Sequence, residues 1–290
     1  MWRTLLPEGD YPIGEVRAIV ADFYRQFPLA PDVSVERVEA RGVPALSIVT
    51  PAGHVRDLLY FHGGGYICGS AQDYAEMTSR LARACRARVL VVDYRLAPEH
   101  PFPAAVDDAL SAYQWLMATD ARRQNVVLCG DSAGGGLTLA TLLRLRDAGE
   151  PLPAAAVCIS PWTDLEMTSA SMDALADVDP LINREVLANM AANYLNGQDA
   201  KSPLVAALHA DLRGLPPMLI QVGTWETMLD DAVRLAERAR AAGVDVKLET
   251  WEEMIHVWHV FPFLPEAERA LASIGAFVGR HTGSPANAAD

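Results

Sequence analysis

Short runs of valine, leucine and isoleucine, closed at each end by glycine, proline or polar residues, recur along the chain at 57–61, 89–93, 126–130, 155–160 and 218–223. Each is too short for a helix, and continuous apolar runs of this length predict strands buried on both faces. A further strand-like run covers 246–251. The segments between them carry helical spacing instead. Residues 73–87 place Tyr74, Met77, Leu81 and Cys85 three and four apart, and 104–118 do the same with Ala105, Ala109, Leu110, Tyr113 and Leu116. In 228–242, Met228, Ala232, Leu235, Ala236 and Ala239 share one face, and Gly243 fits the C-terminal cap. Strands alternating with such helices predict an α/β fold, a parallel sheet covered by helices on both faces.

Two segments break the alternation. Residues 1–40 precede it and contain a predicted helix over 14–26; residues 162–214 form a long insertion between two strands, with a helix expected around 184–195. Neither shows a strand set of its own, so both are expected to cover the sheet as one cap within a single domain of 290 residues. Residues 281–290 are small and polar and are expected to fray.

Composition narrows the class of function. Hydrophobic residues make up 51% of the chain, enough for a sizeable core. The net charge of −13 leaves no basic patch to track a phosphate backbone, so nucleic acid is not expected as a partner. No apolar run reaches the ~18 residues of a membrane span, and the first residues lack the apolar stretch of a signal peptide, which predicts a cytoplasmic protein. Cys68, Cys85, Cys129 and Cys158 show neither C-x-x-C nor zinc spacing. Cys68 lies near a glycine-rich loop where a reactive thiol could be imagined, but no adjacent cation in sequence would lower its pKa.

The strongest chemical signal is Val126-Val127-Leu128-Cys129-Gly130-Asp131-Ser132-Ala133-Gly134-Gly135. It sets G-x-S-x-G between a predicted strand and a helical run, the context in which a tight turn lifts a serine hydroxyl out as a nucleophile. The helix N-terminus behind it favours developing negative charge. A second signal, His62-Gly63-Gly64-Gly65-Tyr66, also leaves a strand. Its glycines expose backbone N–H groups, and Gly64 and Gly65 together with Ala133 are the expected oxyanion donors, with Gly63 a further candidate. The P-loop pattern is missing. His62 is expected to shape this loop by a hydrogen bond.

A base is needed late in the chain if the order is serine, acid, histidine. Of seven histidines, His256 lies just past the strand-like run 246–251, where such a base belongs. His259 could pair with it around a metal, but no matching carboxylate motif accompanies them, and no metal is expected. For the acid, Glu226 falls three residues beyond the run 218–223. Asp230 and Asp231 are the alternatives, although they fit better as acidic residues opening the next helix.

Together, His62-Gly63-Gly64-Gly65, Asp93-Tyr94-Arg95-Leu96-Ala97-Pro98-Glu99, Gly130-Asp131-Ser132-Ala133-Gly134-Gly135 and the Met254-x-His256 loop resemble the hormone-sensitive-lipase-like family of α/β-hydrolases, over roughly residues 45–280. The resemblance implies an eight-stranded, mostly parallel sheet, a helical cap and carboxylesterase activity on short- to medium-chain esters, with no cofactor. Many members carry Asp-Pro-x-x-Asp at the acid, whereas this chain reads Glu226-Thr227-Met228-Leu229-Asp230, one methylene longer at the first position. The expected chemistry is acyl transfer through Ser132, His256 and Glu226 on a small-molecule ester. Lactone, carbamate or amide hydrolysis by the same residues, or a non-catalytic ligand receptor, are the alternatives, and the oligomeric state is left open. Trp162, Phe27 and Met190 are candidate pocket residues, and Asp93, Tyr94 and Arg95 a structural brace.

Overall fold

The computed structural model describes residues 12–119 and 123–283. Eight strands form one sheet: β1 (Ser34–Ala40), β2 (Val43–Val49), β3 (Arg56–Phe61), β4 (Ala87–Val92), β5 (Val126–Asp131), β6 (Ala155–Ile159), β7 (Met218–Gly223) and β8 (Val246–Trp251), in the order β1-β2-β4-β3-β5-β6-β7-β8. The pairs β1–β2 and β2–β4 are antiparallel, and every later pair is parallel.

Side chains of the central strands alternate between two apolar layers. Leu59, Phe61, Val126 and Leu128 point to one layer and Leu58, Tyr60, Val127 and Cys129 to the other. Helices α3 (Ala104–Ala118), α4 (Ala133–Asp147) and α7 (Leu229–Ala241) close the first layer; α2 (Ala75–Cys85) and α8 (Pro265–His281) close the second. Burial on both sides is why these strands are apolar throughout rather than alternating.

Register places the chemistry. Phe61 pairs with Gly130, Asp131 with Ile159, Ile159 with Gln221 and Gly223 with Trp251. The parallel strands therefore end along one edge, and the loops after β3, β5, β6, β7 and β8 all open there, the usual site of ligand binding in such sheets. Over this edge lie α1 (Ile13–Tyr24) and the insertion with α5 (Ser171–Ala174) and α6 (Arg184–Leu195).

The expected boundaries need three corrections. Residues 34–40, placed with the cap because they precede the alternation, form edge strand β1; of the described residues before them, those of α1 cover the site. The strand β2 was not expected either. The tail does not begin at 281, because α8 runs through His281, Thr282 is buried, and the Gly283 amide donates to the Gln124 carbonyl. Residues 284–290 of the expected frayed tail lie outside the described residues.

Candidate active site

Ser132 occupies the turn between β5 and α4 with φ 53° and ψ −120°, a conformation L-residues rarely adopt and one that costs about 1–3 kcal/mol. Backbone bonds hold it there. Its amide donates to the Ile159 carbonyl at 2.9 Å, and its own carbonyl accepts from the Gly135, Gly136 and Trp162 amides. The turn depends on close approach: a Cβ on Gly134 would lie 1.9 Å from the Phe61 carbonyl oxygen. Glycine at 134 is thus a steric requirement for bringing the loop after β3 against the elbow.

The structure brings His256 and Glu226 together. His256 Nδ1 donates to Glu226 Oε2 at 2.9 Å, which leaves Nε2 as the other ring nitrogen available to a substrate-side partner. Burial alone pulls the His256 pKa down; the Glu226 hydrogen bond and charge outweigh that, and the net shift is upward. Glu226 is fully buried, and its other oxygen accepts from the Gly223 amide at 2.6 Å and from the Ser160 hydroxyl at 2.8 Å. Both oxygens of the longer side chain are therefore held. The alternatives are committed elsewhere: Asp231 accepts from the Thr163 and Asp164 amides and the Ser169 hydroxyl, and Asp230 from the Ser171 amide.

After β3, the Gly63 amide donates to Asp131 Oδ1 at 3.0 Å, which removes it from the candidate oxyanion donors. The Gly64 carbonyl turns back to accept the Ile67 and Cys68 amides at 3.1 Å. The amides of Gly64, Gly65 and Ala133 have no acceptor among the described residues. His62 bonds to the Gly63 carbonyl through Nδ1 at 2.7 Å and stacks on Tyr94 with centroids 4.3 Å apart, while the Tyr94 hydroxyl donates to the His62 carbonyl. Arg95 forks onto Asp108, and Asp93 accepts the Ala71 amide. Cys68 is buried, its Sγ faces the Gly64 carbonyl at 3.2 Å, and burial pushes its pKa up to about 12, which opposes a thiolate. His259 does not join His256: its Nε2 bonds to Gln221 Oε1 at 2.8 Å, and burial lowers its pKa to about 3.

Ser132, His256 and the three glycines line one cavity whose other wall is apolar. Val20, Phe23 and Tyr24 come from α1, and Leu181, Ile182, Val186, Leu187 and Met190 from the insertion. Met190 packs its thioether directly over Gly65. Of the candidate pocket residues, Met190 lines the cavity; Trp162 is fully buried and not part of its lining, and Phe27 belongs to an aromatic cluster with Phe23, Phe261 and Phe263.

Three residues escaped the sequence reading. Ser160, with φ 44°, bridges Glu226 and the loop of His256, since its hydroxyl donates to Glu226 and accepts the Val257 amide at 3.3 Å. Asp179 in the insertion accepts the Leu181, Ile182 and Thr227 amides, tying the cavity wall to the loop of Glu226. Asp131 accepts three donors beside Ser132. The one signal available for Ser160 was its place at the end of a central strand, on the edge where the other loops open.

A family model for the alpha/beta hydrolase fold matches residues 58–260. An acetyl-hydrolase of Streptomyces hygroscopicus is 46% identical over 88% of this chain and 89% of its own length, and an esterase of Acinetobacter venetianus is 34% identical over 90% and 87%. Among solved structures, an esterase from the bacterial hormone-sensitive lipase family superposes with a TM-score of 0.94 at 47% identity, over 97% of this chain and 95% of that one. EstE5, soaked with p-nitrophenyl butyrate, gives 0.92 at 44% identity, over 95% and 93%. With the strand order, the serine elbow and these relatives in agreement, the chain belongs to the hormone-sensitive-lipase-like family of α/β-hydrolases, the carboxylic ester hydrolases.

Proposed function

We propose that the protein hydrolyses short- to medium-chain esters of small molecules through a Ser132–His256–Glu226 triad and an acyl-enzyme intermediate. The observation that carries this reading is the 2.9 Å bond from His256 to a doubly anchored Glu226, at a cavity shared with Ser132. His256 Nε2 takes the Ser132 proton as Oγ attacks the ester carbonyl carbon. The carbonyl π electrons move onto oxygen, and the unbonded amides of Gly64, Gly65 and Ala133 receive that oxyanion, each donor being worth ~2.7–4 kcal/mol in such holes. The tetrahedral intermediate collapses as His256 passes its proton to the leaving alkoxide, and the alcohol departs. Water then repeats the sequence on the acyl-enzyme, releasing the acid and restoring Ser132. The mechanism draws on no metal or cofactor.

The α1 segment and the insertion act as the cap that bounds the acyl pocket. The cavity measures about 70 Å³ and is walled by the apolar side chains of α1 and the insertion, which favours a short acyl chain. Names of relatives, an acetyl-hydrolase and EstE5 soaked with p-nitrophenyl butyrate, point the same way. Four free, buried thiols suit a reducing compartment, in keeping with a cytoplasmic enzyme.

The test treats wild type, Ser132→Ala and Glu226→Ala with an alkyl phosphonate ester, reads intact mass, and measures turnover of p-nitrophenyl esters from acetate to laurate. Labelling and hydrolysis of wild type, both lost in Ser132→Ala, with Glu226→Ala slowed by ~10² or more in kcat, is the expected pattern. Absence of both from folded wild type overturns the esterase reading, and near-normal Glu226→Ala overturns the assignment of the acid.

A further inference from the structure

Asp131 is a fully buried carboxylate that the triad does not use. Ionised carboxylates are rarely placed in a core without a task, because desolvation costs several kcal/mol unless hydrogen bonds offset it. Here three donors converge on it: the Tyr60 hydroxyl at 2.6 Å and the Gly63 amide at 3.0 Å on Oδ1, and the Tyr74 hydroxyl at 2.9 Å on Oδ2. Two of these are rigid phenols on different elements. The third is the backbone of the glycine loop, and it is the one that matters for chemistry.

We propose that Asp131 is a positioning residue for the oxyanion loop, its carboxylate holding Gly63 so that the next two amides stay free for the substrate oxygen. This rests on the triad reading above and deepens it. Asp131 is the chain neighbour of Ser132, so the side chain that fixes the loop and the backbone that carries the nucleophile move as one unit. Gly63 fits against that side chain: a Cβ there would lie 2.3 Å from Asp131 Oδ2 and 2.9 Å from the Tyr74 hydroxyl. Without the carboxylate, the Gly63 amide has no acceptor, and the loop is free to rotate it toward the cavity in place of Gly64. An oxyanion donor off by an ångström loses most of its value, since the hole is useful only when preorganised. The phenols orient the carboxylate from two different elements.

The experiment compares Asp131→Asn, Asp131→Ala and Tyr60→Phe/Tyr74→Phe in the full chain, using p-nitrophenyl butyrate kinetics and the rate of phosphonate labelling. Wild type and Ser132→Ala serve as the reference pair, so failure of the triad reading shows as an unlabelled wild type. Asp131→Asn keeps an oxygen that can accept the Gly63 amide. Its kcat is expected to stay within ~10-fold of wild type, whereas Asp131→Ala loses ~10²-fold or more in kcat with KM changed less than ~3-fold. The phenol pair, which leaves the Gly63 bond in place, is expected to lose less than ~10-fold. Should Asp131→Ala fail to fold because two phenols are left unpaired, Asp131→Ala/Tyr60→Phe/Tyr74→Phe removes that cause and is read the same way. Equal loss in the Asn and Ala variants overturns the proposal in favour of a purely electrostatic role on His256. Wild-type kcat in a folded alanine variant, or a loss in the phenol pair as deep as in alanine, overturns it as well.

Discussion

A carboxylate can orient an imidazole only if it is itself held, and Glu226 is held at two points besides the imidazole. Ser160 supplies one of them and also accepts the amide that follows His256, so its hydroxyl couples the acid to the loop of the base. Ser160→Ala is expected to lower kcat by ~10-fold with little change in KM, and to add no further loss in a Glu226→Ala background. Additive losses in that cycle would show that Ser160 acts independently of the acid. The net upward shift at His256, burial opposing and Glu226 prevailing, sets the sign of the pH response. Ester attack requires neutral imidazole, so kcat/KM falls as pH drops through a value above the ordinary ~6.5. Glu226→Gln should move that acid limb downward while lowering kcat; a limb that stays in place would detach it from this pair. Asp131 titrates too, and there the consequence is for stability. Burial pushes its pKa up to about 6, its donors partly opposing, against ~3.9 in the unfolded chain. Between those values the folded protein keeps a proton that the unfolded chain has released, so this residue's contribution to stability declines as pH rises through the window and is flat above it. The melting temperature of Asp131→Asn relative to wild type should therefore climb from pH 4 to pH 7. A constant difference over that range would refute the raised pKa.

At the scale of elements, legibility followed burial. The runs at 126–130 and 218–223 became β5 and β7 almost unchanged because both faces are packed, which makes their sequences apolar without interruption. β1 gave no such signal: six of its seven residues are exposed or half-buried, and its place in the sheet comes from pairing with β2 rather than from its own pattern. β2 carries Pro44 one residue from its start, a position a strand tolerates but a sequence reading penalises. The placement of Ser132, His256 and Glu226 at one edge of the sheet was legible because each follows a strand end in the chain. Asp131, Ser160 and Asp179 were not, since their partners lie 68, 66 and 48 residues away and only register brings them together. Helix α6 matched its expected span, and its face of Val186, Leu187 and Met190 is what the cavity meets. Met190 sits over Gly65, so its size sets the depth available beyond the oxyanion loop. Met190→Ala should raise the ratio of p-nitrophenyl octanoate to butyrate turnover by ~5-fold or more. An unchanged ratio would place the acyl chain along α1 instead.

For the molecule as a whole, the cavity exists only while two covering segments stay seated, and each has its own polar clasp. Arg17 of α1 donates to the Ile67 and Ala97 carbonyls at 2.8 and 3.0 Å and forks onto Glu99, so the N-terminal cover is fastened to loops beside the glycine turn. Asp179 fastens the insertion, but its Thr227 contact reaches the residue after Glu226. The two clasps should therefore fail differently. Losing Arg17 loosens a wall of the cavity while leaving Glu226, His256 and Ser132 in register, so on the proposed triad Arg17→Ala is expected to raise KM for p-nitrophenyl butyrate ~3–10-fold with kcat within ~2-fold. Losing Asp179 frees the wall at Leu181 and Ile182 and also unpins the acid loop, so Asp179→Ala should raise KM and lower kcat together. The split follows from where the donors lie: Arg17 binds carbonyls and a carboxylate outside the triad loops, whereas Asp179 accepts from the backbone that carries the acid. Steady-state kinetics on both variants, with melting curves to confirm folding, decides it. A drop in kcat for Arg17→Ala as large as that for Asp179→Ala would mean that the N-terminal cover, too, holds the reacting groups in place.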